Sequence, residues 1–172
     1  MEQHEMVALI QQAAPHGTWA DFGAGSGNFT RALASLLGTD GTIYAIDLHA
    51  KPRIETWQPG ITVYWQSGDF TRLLTLPSLD GILMANALHF IPPQQQVTVL
   101  RQVREYLKPE GKFVLVEYDL KRPLPYVPHP VGWDRFVDIA TEAGFTSPTR
   151  IGVRQSPSSG ISMVAALAVS RS

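Results

Sequence analysis

The stretch Thr18-Trp19-Ala20-Asp21-Phe22-Gly23-Ala24-Gly25-Ser26-Gly27-Asn28 decides the fold. A short apolar run ends near an acid, three glycines follow at alternating positions, and Asn28 opens a new periodicity. From Asn28 to Leu37, the residues Phe29, Leu33, Leu36 and Leu37 recur at helical spacing. The order is therefore strand, glycine turn, helix. One glycine permits the tight turn, one lets backbone approach a ligand closely, and one lets helix and strand pack together. The helix start offers unpaired N–H groups and the positive end of its dipole.

The same alternation continues outward from this turn. Residues 2–14 read as a short helix with Met6, Leu9 and Ile10 on one side, stopped by Pro15 and Gly17. Thr42 to Ile46 is the next strand and ends at Asp47. Ile54 to Trp57 reads as at most a short helix before Pro59-Gly60. Ile61 to Trp65, rich in β-branched and aromatic residues, reads as a strand. Leu79 to Ala85 is a central strand, and Pro93 opens a helix through Leu107, since proline suits a first helical turn. Lys112 to Tyr118 is a further strand after the turn Pro109-Glu110-Gly111.

Between Arg122 and Pro130 stand four prolines, which exclude a helix or central strand there. Trp133 to Glu142 reads as a helix stopped by Gly144. Phe145 to Val153 and Ser162 to Val169 are two closing strands joined by the turn-rich segment Gln155 to Gly160. Alternating strands and helices imply a mostly parallel sheet covered on both faces. The expected fold is thus α/β, Rossmann-like and doubly wound, with seven strands. One of these is antiparallel near the C-terminus, because the last two strands lack an intervening helix.

Length and composition narrow the class. The 172 residues indicate one domain over residues 1–172. Within it, residues 1–16 form a helical prefix and residues 121–132 a proline-rich candidate lid, since prolines restrict a loop that must cover a site. The 14 Lys+Arg against 15 Asp+Glu leave no basic footprint for nucleic acid. The absence of cysteine excludes disulfides and thiol chemistry. Five scattered histidines lack metal-ligand spacing, so no metal is expected. There is no signal-like N-terminus and no apolar stretch of about 20 residues, so no membrane partner and a cytoplasmic location are expected. Oligomeric state is not encoded in any visible pattern.

The glycine turn departs from the dinucleotide fingerprint G-x-G-x-x-G. Counting from Gly23, the sixth position is Asn28, which counts against a nicotinamide-dependent oxidoreductase. The chain instead shows an acid followed by G-x-G-x-G. Asp47, closing the second strand, is placed to accept bonds from both ribose hydroxyls, or else serves as a turn or helix-cap aspartate. Leu48 beside it packs on an adenine face or belongs to the core.

Asp21 through Gly27 closely resembles the first motif of class I S-adenosylmethionine-dependent methyltransferases. Among these, the small-molecule enzymes of ubiquinone and menaquinone biosynthesis are the group resembled. The resemblance spans about residues 15–170. It implies a cofactor site of Asp21, Gly23, Ala24, Gly25, Gly27, Asp47, Leu48, Asp69, Phe70 and Asn86, with S-adenosylmethionine as cofactor. Asp69 and Phe70 match the positions that meet adenine in the family, although Asp69 also suits a helix N-cap. In Met84-Ala85-Asn86-Ala87-Leu88-His89-Phe90, Asn86 and His89 resemble residues that face the methyl donor. Leu107 to Lys112 is similar to the family's L-K-P-G-G turn, with Glu110 in place of the first glycine.

His89 is the candidate catalytic base or acceptor contact, because histidine titrates near neutral pH; its alternative is loop packing. Tyr118, Tyr126 and His129 are further candidates for the acceptor side. The tetrad Asn-Pro-Pro-Tyr of many amine-directed enzymes is replaced by Asn86-Ala87-Leu88-His89, which argues against those classes. With only residues 1–16 before the first strand, no large recognition domain is expected there. The expected activity is methyl transfer to O, N or C of a small-molecule acceptor by in-line displacement. The alternative is a noncatalytic S-adenosylmethionine-binding module that regulates or scaffolds a partner.

Overall fold

A computed structural model describes residues 1–57, 59–155 and 159–171. Five parallel strands form the centre of one sheet: β1 (Gly17–Phe22), β2 (Gly41–Asp47), β4 (Ile61–Ser67), β5 (Leu79–Ala85) and β6 (Leu107–Tyr118). The edges carry β3 (Arg53–Trp57) at one side, and β8 (Ser162–Ser170) followed by β7 (Phe145–Gln155) at the other. The order is β3-β4-β2-β1-β5-β6-β8-β7. The α/β Rossmann-like architecture is the one expected, and β7 and β8 form the antiparallel closing pair. Part of their connection, residues 156–158, lies outside the described residues.

Among the described residues the sheet has eight strands where seven are expected, and two run against the rest, β3 and β8. The eighth is the segment read as a short helix. Between Pro52 and Pro59 there are too few residues for a stable helix. Its alternation instead places Arg53, Glu55 and Trp57 level with Trp65, Val63 and Ile61 of β4, and Ile54 level with Tyr64. Period-two patterning against an available edge outweighs weak helical propensity.

Among the described residues, two helices cover each face. On one side, α1 (Gln3–Ile10) and α2 (Asn28–Leu37) bury Met6, Leu9, Ile10 and Leu33 against Trp19, Ile43, Val63 and Val114. A single 3₁₀ turn, Gln11–Ala13, ends the first helix. On the other side, α3 (Pro93–Glu105) and α4 (Trp133–Glu142) bury Leu100, Val103, Phe136 and Ile139 against Phe22, Ile82 and Phe113. In β6 the turn at Pro109–Gly111 is looped out of register, since Leu107 pairs with Leu79 but Lys112 with Gly81. Glu110 there takes φ 63°, which glycine would adopt without strain. No helix among the described residues is long and apolar enough to cross a membrane.

The parallel strands all end on the same side. Chain order reverses between β1 and β5, so the connections leaving their paired carboxyl ends run in opposite directions, which is where open α/β sheets usually place a crevice for ligand.

Candidate functional site

The glycine turn runs from the end of β1 into α2. The N–H groups of Gly23 and Ala24 donate to the Ile46 carbonyl at 2.8 and 3.0 Å, tying the turn to β2. Gly23 takes φ 78°, and a Cβ there would stand 2.6 Å from the Ala87 Cβ, so two loops meet at this glycine. Gly25 takes φ 54°, and a Cβ there would face open space. Asp47 binds this backbone from β2: Gly25 N–H donates to Oδ2 at 2.9 Å and His49 N–H to Oδ1 at 3.0 Å.

Asp21 lies beneath the turn and is 1% exposed. Its Oδ2 accepts a hydrogen bond from Thr30 Oγ1 at 2.6 Å. Burial pushes its carboxyl up to about 7, with the Asp47 charge adding and the Thr30 bond opposing. An acid that is half protonated near neutral pH responds strongly to any cation placed beside it.

Two cavities meet at this turn, and both are lined by Gly23 and Asn86. The first, of about 280 Å³, is bounded by Asp47, Leu48, Asp69 and Phe70. The second, of about 330 Å³, is bounded by Asp21, Ala24, Gly25 and Tyr118, with Met6 of α1 and Met163 of β8. Every expected cofactor residue therefore lines one or both cavities except Gly27. That glycine precedes α2 at φ 85°, where a Cβ would meet the Trp65 indole, so its work is to seat the helix.

Asp69 does two things at once. Its Oδ1 accepts the N–H and the hydroxyl of Thr71, at 2.9 and 2.6 Å, as a turn-capping aspartate would. It also borders the first cavity. The Thr71 hydroxyl bond, above all, holds its carboxyl below the usual range, against the opposing effect of burial. Phe70 stacks on Phe22 with centroids 6.1 Å apart, which fixes its ring at the cavity wall. Leu48 is 63% exposed at the mouth and is not core.

Asn86 follows β5 at φ 52°. Its N–H donates to the Val116 carbonyl at 2.8 Å, while its side-chain Oδ1 is buried with no hydrogen-bond partner among the described residues. Such an atom is an acceptor waiting for a donor. His89 lines neither cavity. It is 2% exposed, and its Nδ1 lies 2.6 Å from Glu117 Oε2.

The other acceptor-side candidates separate. Tyr118 borders the second cavity. Tyr126 stands outside it, edge-on to Tyr118 with centroids 6.0 Å apart. His129 reaches the region through its backbone, donating to the His89 carbonyl at 3.0 Å.

Several neighbours escape sequence reading. Glu117 is a lone charge closing the apolar run Phe113 to Val116, a signal that was available. Thr30, Met6, Met163 and Gln96 carry no local mark of their role, because it comes from packing across elements: Thr30 of α2 meets the strand acid Asp21, and Gln96 of α3 reaches His129 and Arg135.

Among solved structures, the chain is similar to Burkholderia thailandensis 1,6-didemethyltoxoflavin-N1-methyltransferase with bound 1,6-didemethyltoxoflavin and S-adenosylhomocysteine. The TM-score is 0.74 at 19% identity, covering 99% of this chain and 78% of that one. It is also similar to human N-acetylserotonin methyltransferase in complex with SAM. There the TM-score is 0.70 at 18% identity, covering 99% of this chain and 52% of that one. A curated relative, an uncharacterized methyltransferase of Oceanobacillus iheyensis, is 33% identical over 98 residues, or 55% of this chain and 43% of the relative. The chain thus spans about half the length of the human enzyme and less than half of the curated relative. Residues 20–111 match the family described as Methyltransferase domain. That match takes in the glycine turn, Asp47, Asp69 and the Asn86–His89 turn, and covers more than half of the sequence, so the chain belongs to the methyltransferase domain family.

Proposed function

We propose that this protein transfers a methyl group from S-adenosylmethionine to a small-molecule acceptor. The single observation that carries the reading is the pair of cavities meeting at Gly23 and Asn86. One presents ribose- and adenine-type partners, and the other presents a buried acid and the side-chain-free Gly25.

The residues fit this donor. Asp47 retains lone pairs beyond the two N–H bonds it accepts, and these would hold ribose hydroxyls. Asp69 and Phe70 would hold the adenine end, with Leu48 covering its face. At the other end, Asp21 and the unpartnered Oδ1 of Asn86 are acceptors suited to an ammonium group, and Gly25 leaves room for a carboxylate against its backbone. Bound there, S-adenosylmethionine supplies an electrophilic methyl on a sulfonium that departs as a neutral thioether.

Alignment is then the chain's main contribution. The second cavity, with Met6, Met163 and Tyr118 at its wall, is where an acceptor would lie. Adaptable methionine side chains and an aromatic ring favour an apolar or aromatic body. The quinone-biosynthesis group resembled by the sequence is part of this proposal. So is a single-domain organisation in which α1 and the proline-rich segment flank the site.

Calorimetric titration with S-adenosylhomocysteine tests the donor. Saturable binding is expected, and no heat and no thermal shift at roughly millimolar ligand would reject it, since weaker binding is not specific on this scale.

A further inference from the structure

The turn from Asn86 to Ile91 closes both cavities, and a buried polar cluster holds it from behind. Glu117 sits fully buried at the carboxyl end of β6. Its Oε1 accepts the His89 backbone N–H at 3.1 Å, and its Oε2 lies 2.6 Å from His89 Nδ1. Gln96, 1% exposed on α3, donates from Nε2 to the carbonyls of Ile91 and His129 at 3.1 and 3.3 Å. Its Oε1 accepts from Arg135 Nε of α4 at 3.1 Å. The His129 N–H closes the circuit on the His89 carbonyl.

A fold does not need ionisable groups in this place. Replacing a buried polar pair by apolar side chains of similar volume is often neutral or stabilising. What the carboxylate and the amide add is direction. They pin the turn at His89 and Ile91, and β6 pins it at Asn86. Asn86 holds a left-handed conformation and a partnerless buried oxygen, and such strain persists only where the surroundings over-determine it.

We propose that Glu117, His89 and Gln96 are positioning residues for the donor site: they hold the 86–91 turn so that Asn86 and Ala87 meet the ligand. His89 then acts through its contacts with Glu117 rather than as a proton-transfer base. The proline-rich segment is a brace that delivers the His129 N–H. This rests on the reading of the two cavities as an S-adenosylmethionine site.

The test is calorimetric affinity for S-adenosylhomocysteine in the full chain. If the wild type does not bind, the donor reading falls and the proposal with it. If it binds, Glu117→Leu is expected to weaken affinity by about tenfold or more, the scale of a buried donor left unpaired. Glu117→Gln keeps an acceptor for the His89 N–H and is expected to recover affinity to within about threefold of wild type. His89→Gln and Gln96→Met, which touch neither cavity, are each expected to weaken binding by about threefold or more. A cooperatively melting Glu117→Leu protein that binds as tightly as wild type overturns the proposal. So does a Glu117→Gln protein as weak as the leucine variant. Should Glu117→Leu not fold, Gln96→Met decides, and unchanged affinity there overturns it. Unchanged affinity in His89→Gln removes His89 from the cluster.

Discussion

The glycine turn at residues 23–27 and the turn at residues 86–91 face the same two cavities but are held in opposite ways. The first is held through its backbone by one neighbouring strand: it has positive φ angles, and its N–H groups bond the Ile46 carbonyl and one partly exposed carboxylate, Asp47, of β2. The second is held by buried side chains from β6 and α3 and by backbone from the proline-rich segment. A turn of the first kind depends on one neighbouring strand. A turn of the second kind reports on the packing of the whole domain, because each of its anchors arrives from a different element.

The two turns touch at Gly23, and breaking that contact has the largest expected effect. Gly23→Ala forces an alanine into the left-handed region and a Cβ to 2.6 Å from Ala87. The dihedral and the overpacking together should cost about 2–5 kcal/mol of stability. Chemical denaturation measures it, and a loss below about 1 kcal/mol would show that the turns give way easily.

Asp47→Ala removes the side chain that binds the glycine turn and would hold ribose. Affinity for S-adenosylhomocysteine should fall by about 1–3 kcal/mol, roughly five- to 160-fold. Unchanged affinity would show the ribose assignment to be wrong.

Asp21 sharpens the comparison through pH. Its folded-state carboxyl is raised from 3.8 to about 7, so the neutral form is the one the ligand-free fold favours. The stability this contributes is complete below 3.8 and is lost as pH rises through about 7. Asp21→Asn should flatten that part of the thermal-melt profile. A cationic ligand group favours the ionised carboxylate, so S-adenosylmethionine affinity should rise between about pH 6 and pH 8 with proton release. Calorimetry in buffers of different ionisation enthalpy reads the released proton, and a flat affinity profile would remove Asp21 from ligand contact.

The smallest effect is expected beside the second turn. Tyr126→Ala removes only the edge-on contact with Tyr118, worth about 1 kcal/mol or about 2–4 °C in thermal midpoint. A larger loss would mean that the exposed ring braces more of the proline-rich segment than its one aromatic contact indicates.

Much of this was legible in the amino-acid order. Asn28 to Leu37, Leu79 to Ala85 and Trp133 to Glu142 are elements with the bounds read from periodicity. Asp47, Leu48, Asp69 and Phe70 stand around one cavity because each closes a parallel strand or comes within three residues of its end, and parallel strands all end on one side. Ile54 to Trp57 departs from the helical reading because the stretch between Pro52 and Pro59 is too short for a period to decide by itself; the free edge of β4 makes it a strand. His89 stood in the expected loop, but its ring turns inward to Glu117, 28 residues away.

The sequence by itself determined the alternation of strands and helices, the glycine turn, and the acids at the strand ends. These rest on hydrophobic period and turn chemistry, which act over a few neighbouring residues. Tertiary structure alone decided that Asp21 is buried into the neutral-pH range, that α1 brings Met6 to the second cavity, and that Glu117 and Gln96 anchor the Asn86 turn. Burial and the pairing of distant polar groups depend on which elements pack together, and no window of sequence contains both partners.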